Sequence, residues 1–190
     1  PAAGEQIAGQ VGGLGAILVH NDIAHRKGFI VSGRLRDDLG ELYLREYCDN
    51  PLVAAIAKYG RPGRPDLVST FAGNIAVKRT AFHADILEPQ AIVDQIAMPH
   101  QALTGNGNSG GFSVMLSSRH VDDASAAVNR MMRLAPHLSR ALDLSLDVAE
   151  HRNVAGRLAT LLDALPTAAV LLDCTSRIIR TNKSADIMLS

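Results

Sequence analysis

Two stretches decide how this chain is organised: Leu134-Ala135-Pro136-His137-Leu138-Ser139-Arg140-Ala141-Leu142, and then Leu165-Pro166-Thr167-Ala168-Ala169-Val170-Leu171-Leu172-Asp173. The first lies in a long helical stripe. Val128, Met131, Ala135, Leu138 and Leu142 recur at alternating steps of three and four, the spacing of a coiled-coil seam. The phase then slips around Leu146 and Ala149, and Val154, Leu158, Leu161 and Leu165 begin a fresh stripe. Pro136 removes a backbone N–H and frees the carbonyl of Met132, which predicts a bend. Pro166 ends the helix. Beyond it, Ala168 to Asp173 reads as an apolar strand, Cys174-Thr175-Ser176 as a turn and Arg177 to Thr181 as the return strand. Asn182 is placed to cap a last helix. A lone hairpin is marginal in water, so this tail is expected to pack on something else or to belong to a larger domain.

Upstream, Gly13 to Val19 is a short apolar run bounded by His20-Asn21-Asp22, a buried strand, and Lys27 to Leu35 is a second strand joined to it by a hairpin. Asp37-Asp38 offers acidic caps for a helix through Tyr47. Asn50-Pro51 starts another, with Pro at its first position, which Gly60 stops. Arg61 to Asp66 is a loop, and Lys78 to Leu87 reads as a helix ended before Pro89. Ile92, Asp94, Ile96 and Met98 alternate along one strand, and Phe112, Val114 and Leu116 along the next. Strands this close pair antiparallel, because a parallel crossover needs a dozen or more residues. The expected class is therefore α+β, an antiparallel sheet flanked by helices. Three parts follow: a module over 1–121, a long connecting helix over 122–165 introduced by Asp122-Asp123, and the start of a truncated unit over 166–190.

Nineteen basic and nineteen acidic side chains cancel, apolar residues make up 47% and charged ones 20%. A balanced charge lacks the basic footprint of a nucleic-acid binder. No apolar run reaches the roughly 20 residues that span a bilayer, and no signal-peptide pattern opens the chain, so a cytoplasmic location is expected. The chain begins at Pro1, which predicts an upstream segment. Cys48 and Cys174 form no C-x-x-C pair and read as reduced thiols.

Gly105-Asn106-Gly107-Asn108-Ser109-Gly110 matches G-x-G-x-x-G, but a strand rather than a helix follows, so a hairpin loop is expected instead of a dinucleotide site. Seven histidines make no H-x-x-x-H pair, so neither a metal site nor a cofactor is expected. No G-x-S-x-G elbow or acid/base pair emerges, and no enzyme is expected. What remains is a cavity between sheet and covering segments, for which Phe29, Val31, Phe71, Phe82, Ile96, Met98, Phe112 and Val114 are the apolar candidates. The plainer reading is that they fill the core.

The C-terminal motifs resemble those of bacterial LuxR-type helix-turn-helix regulators with a GAF/PAS-like sensor. The resemblance rests on an L-x-P-H-L-x-R-A-L pattern, matched by Leu134, Pro136, His137, Leu138, Arg140, Ala141 and Leu142. It rests also on an L-P-x-x-[AV]-V-L-L-D start, followed by an R-[VI]-[IL] strand and N-x-x-A, matched by Leu165, Pro166, Val170 to Asp173, Arg177 to Ile179, Asn182 and Ala185. It implies a sensor for a small-molecule effector or a protein partner, a homodimer paired through the long helix at Val128, Met131, Ala135, Leu138 and Leu142, and a DNA-binding domain that this chain does not contain. The alternatives are a ligand-free structural adaptor and a small-molecule enzyme using the GAF-like cavity.

Overall fold

The computed structural model describes residues 2–72 and 77–189. Its contacts divide the chain into residues 1–140 and 141–190, and the boundary falls within one helix.

The first unit is an α+β sandwich around a five-stranded antiparallel sheet. Strand β1 (Gly15–Asp22) and β2 (Lys27–Gly33) form the expected hairpin, with Leu18 opposite Val31 and His20 opposite Phe29. Strand β3 (Asp66–Leu67) is a two-residue edge. Strand β4 (Asp94–Pro99) pairs with β5 (Asn108–Leu116), Ile96 facing Val114 and Met98 facing Phe112. The strand order β2-β1-β5-β4-β3 brings the two hairpins together through β1 and β5. The continuous apolar run in β1 follows from burial on both faces.

Helix α1 (Ala2–Val11), which the sequence pattern did not reveal, covers one face together with the beginning of a much longer helix. Ala8 and Val11 of α1 meet Ala16, Ile96, Met98, Val114 and Leu116 from the sheet. Over the other face lie α2 (Asp37–Glu46), α3 (Pro51–Tyr59), a short α4 (Val68–Ala72) and a segment around Phe82 to Ile92. Asn50 caps α3 as expected, its Oδ1 accepting from the N–H groups of Leu52 (2.9 Å) and Val53 (3.2 Å). Asp37 and Asp38 lie in the first turn of α2 instead of capping it; Asp37 accepts from Ser32 Oγ and Asp38 pairs with Arg36. Their charge still favours the positive helix terminus.

Where one helix was expected over 78–87, the backbone makes a 3-10 turn (Val77–Arg79), a π turn (His83–Leu87) and another 3-10 turn (Glu88–Gln90). Gly110 and Gly111, expected in a loop, belong to β5. Gly111 has φ 151, and a Cβ there would lie 2.2 Å from the carbonyl oxygen of Met98. Only glycine allows β4 and β5 to approach at that point.

Helix α5 (Ala124–Asp163) runs through Pro136 without interruption. Pro136 and Met132 are exposed, so the carbonyl that proline leaves free faces water. The residues expected to form a seam between two chains are occupied within one. Met131 and Ala135 are buried in the α1-side core, together with Ala124 and Ala127, and Val128 and Leu138 pack against it. Leu142 is buried as well. Helix faces that pack on a sheet and helix faces that pack in a coiled coil share the three-four spacing, and here the partner is the chain's own sheet.

In the second unit, β6 (Val170–Leu172) and β7 (Ile178–Thr181) form the expected hairpin, followed by α6 (Lys183–Leu189). Asn182 is fully buried and organises it. Its Oδ1 accepts from the N–H groups of Ala169 and Ala185, capping α6 as expected, while Nδ2 donates to the carbonyls of Leu162 and Thr167. Asp173 accepts from Thr175 Oγ1 and from the N–H groups of Thr175 and Arg177, and these bonds hold its carboxyl below the usual range. Val170, Leu171, Leu172, Ile178 and Ile179 are nevertheless exposed.

Candidate functional site

The sheet's two faces differ in chemistry. Toward α1 and α5 the strands present Ala16, Ile96, Met98, Val114 and Leu116, a dry packed layer. Toward α2 and α3 the alternate positions carry polar groups among the apolar ones: Asn21 on β1, Gln95 on β4, Ser109 and Ser113 on β5. Asn21 lies opposite Ser109, and Ser113 opposite both Ile17 and Ala97. All four are buried, which is costly for groups that lack partners.

These groups border three adjoining hollows between sheet and covering helices. An inner chamber of about 50 Å³ is walled by Asn21, Tyr43, Asn50, Phe82, Gln95 and Ser113, among others. A second hollow of about 60 Å³ shares Ile17, Tyr43, Phe82 and Gln95 with it. A larger cavity of about 400 Å³ lies beyond Leu52 and Gln95, bordered also by Val68, Lys78, His83, Leu87 and Asp94. Its size falls in the range of small-molecule sites, roughly 300–1,000 Å³. Gln95 borders all three.

The covering layer is tied down by specific bonds. Asn50 Nδ2 donates to the Tyr47 carbonyl (2.7 Å), linking the end of α2 to the start of α3. Tyr47 hydroxyl donates to Asp85 in the π turn, and that bond to a carboxylate holds the phenol's pKa up. Gln90 spans two elements, accepting from the Arg36 N–H and donating to the Ile86 carbonyl. Asp94 accepts from Ser69 Oγ and N and from the Gln95 N–H, pinning α4 to β4.

Within the chamber, Tyr43 is the pivot. Burial pushes its phenol up to about 12, opposed in part by the side-chain amides of Asn21 and Asn50 that lie against it. It is therefore neutral at any physiological pH. Asn21 Oδ1 is buried without a hydrogen-bond partner among the described residues. Tyr43 and Phe82 meet edge to face at 6.2 Å between ring centroids, closing the chamber's roof.

The apolar residues singled out from the sequence divide among these environments. Phe82 is buried in the roof of the chamber. Ile96, Met98, Phe112 and Val114 belong to the core on the opposite side of the sheet, although Met98 and Phe112 also border the chamber. Phe29 and Val31, on the edge strand β2, are exposed, and Phe71 is half-buried on α4. Beside these apolar residues, polar side chains recur inward on strands that are buried on both sides.

The glycine-rich stretch makes a turn at Gly105–Gly107, and β5 follows it, so it offers no helix N-terminus to a pyrophosphate. Among the described residues, no group of three or more His, Cys, Asp or Glu side chains is placed to hold a metal ion. Cys48 is buried, Cys174 is exposed, and both are free thiols. None of the described helices is long and apolar enough to cross a membrane. No family model matches the chain, and no curated protein is significantly similar to it.

Proposed function

We propose that this chain is the sensory and pairing region of a cytoplasmic transcription regulator of the LuxR type. In this reading residues 1–140 are a GAF/PAS-like sensor that binds a small effector between sheet and α2–α3. The chain pairs with a second copy, and the occupied state is passed to a DNA-binding domain outside this chain. The observation that carries the reading is the roofed sheet face with its three adjoining hollows and inward-turned polar groups. A wall that only filled a core would be expected to be apolar and closed. The sensor binds its effector rather than transforming it, since the chamber's wall offers amides, hydroxyls and a phenol held neutral instead of a nucleophile with its base.

Pairing is assigned to the later part of α5, because Val128, Met131, Ala135 and Leu138 are covered within the chain. Leu144, Val148, Val154, Leu158 and Leu161 are all exposed, and the last three recur at the three-four spacing of a helix seam. The measurement is light scattering on the 190-residue chain. A dimer that becomes a monomer in the Leu158→Lys/Leu161→Lys double variant, with unchanged thermal stability of the first unit, supports the reading. A dimer indifferent to both charges refutes the pairing. An unbiased thermal-shift screen tests sensing, since a ligand at 100 times its Kd stabilises by about 2.7 kcal/mol; a screen without hits removes the sensor.

A ligand-free adaptor is the second reading. The exposed Val170, Leu171, Leu172, Ile178 and Ile179 of the β6–β7 hairpin favour it, as an apolar surface of the kind that docks another polypeptide.

A further inference from the structure

We propose that the chamber beside Asn21 recognises an uncharged molecule whose polar end both donates and accepts hydrogen bonds, a primary carboxamide being the simplest example, with an apolar body. The assignment rests on the sensor reading and specifies what is sensed. Three features of the wall lead to it. Asn21 is 1% exposed and its Oδ1 has no partner among the described residues, so the site lacks a donor at that atom. A buried acceptor without a partner is destabilising, a deficit that a ligand N–H or O–H removes. Tyr43 lies against it, its oxygen beside the side-chain amides of Asn21 and Asn50, and its neutral phenol O–H can turn to donate to a ligand carbonyl or hydroxyl oxygen.

The third feature is charge. Among the described residues that line the chamber there is no Asp, Glu, Lys, Arg or His. An ion entering it would lose its hydration with no counter-charge to replace it, so carboxylates and ammonium groups are excluded. Size restricts the polar end to a few heavy atoms, because a single water needs about 10–15 Å³ of such space and the chamber holds about 50 Å³. The body then lies along Ile17 and Phe82, which the chamber shares with the second hollow, or past Gln95 into the larger cavity.

The test uses the 190-residue chain and three five-carbon compounds: pentanamide, its isosteric anion pentanoate, and the cation pentylammonium. Binding is followed by calorimetry and by amide chemical shifts at Asn21, Tyr43 and Ser113. The expected result is saturable binding of pentanamide with shifts at those residues, and at least tenfold weaker binding of both ions. Asn21→Leu, which keeps the branched shape and lacks the orphaned acceptor, should weaken pentanamide about tenfold, the equivalent of 1.4 kcal/mol, while the variant stays folded. Pentanoate or pentylammonium binding as tightly as the amide at the same residues overturns the assignment and leaves the sensor reading intact. If no compound of the three binds, the chamber holds water only and the assignment is overturned; the sensor reading then stands or falls on the unbiased screen. Pentanamide binding that is unchanged in Asn21→Leu overturns it as well, by placing the amide elsewhere.

Discussion

Replacing Tyr43 by Phe should change how stability depends on pH more than it changes stability itself. The phenol's ordinary value is 10, and burial raises it to about 12 in the folded chain. Its folded-state pKa therefore lies above its unfolded one, and the folded state retains a proton that the unfolded state releases. The stabilisation is fully present below pH 10 and is lost as pH rises through 12. Two units correspond to about 3 kcal/mol in total, of which roughly 1 kcal/mol is gone by pH 11. At pH 8 the variant loses at most a hydrogen bond, about 1 kcal/mol. The assay is urea unfolding of both proteins at intervals from pH 8 to the alkaline limit. The wild type should lose stability along that series and Tyr43→Phe should lose less, so the two curves converge or cross. Parallel curves would refute the reasoning, because they would mean that the phenol ionises as freely in the folded chain as in water.

Three further outcomes follow from the packing. Met131→Ala empties a fully buried position between α5 and the sheet and should cost about 2–5 kcal/mol; a loss that varied with protein concentration would place Met131 between chains instead. Gly111→Ala combines a φ of 151 with a Cβ 2.2 Å from the Met98 carbonyl and should cost at least about 2 kcal/mol in urea unfolding. Gly63→Ala is the control: its φ is 74 with open space around it, so about 1 kcal/mol is expected. Asn182→Ala removes the bonds that join α6 and the hairpin to the end of α5, and hydrogen exchange at Ala169 and Ala185 should accelerate while amides of β4 and β5 keep their protection.

Much of the architecture was legible because local chemistry specified it. Asn50-Pro51 encodes a capped helix start regardless of surroundings, and the two close strand pairs could only be antiparallel hairpins. The helix α1 escaped notice because its buried face is small, Ala8 and Val11, among Gly and polar residues. The 77–90 segment could not be foreseen as 3-10 and π turns, since tertiary ties from Tyr47 to Asp85 and from Arg36 to Gln90 shape it. The α5 stripe lies on the chain's own sheet. Ala124 and Ala127 widen it beyond a two-position seam, and that breadth is the sign of a helix lying on a sheet. Of the chamber's wall, Phe82, Met98 and Phe112 were legible in the sequence, and Asn21, Tyr43 and Gln95 were not. Periodicity reports which positions point inward, and it does not report where the interior is left unfilled.

The pairing of β1 with β5 sets the order in which this sheet can be completed. Residues 15–22 meet residues 108–115, across a long intervening stretch of chain. In order of synthesis the first hairpin comes with its β1 edge unpaired until α2, α3, β3 and β4 have been made and β5 arrives. Joining ends so far apart along the chain is slow, and the waiting edge is a template for other strands. The β1 edge therefore stays unpaired until β5 is available to cover it.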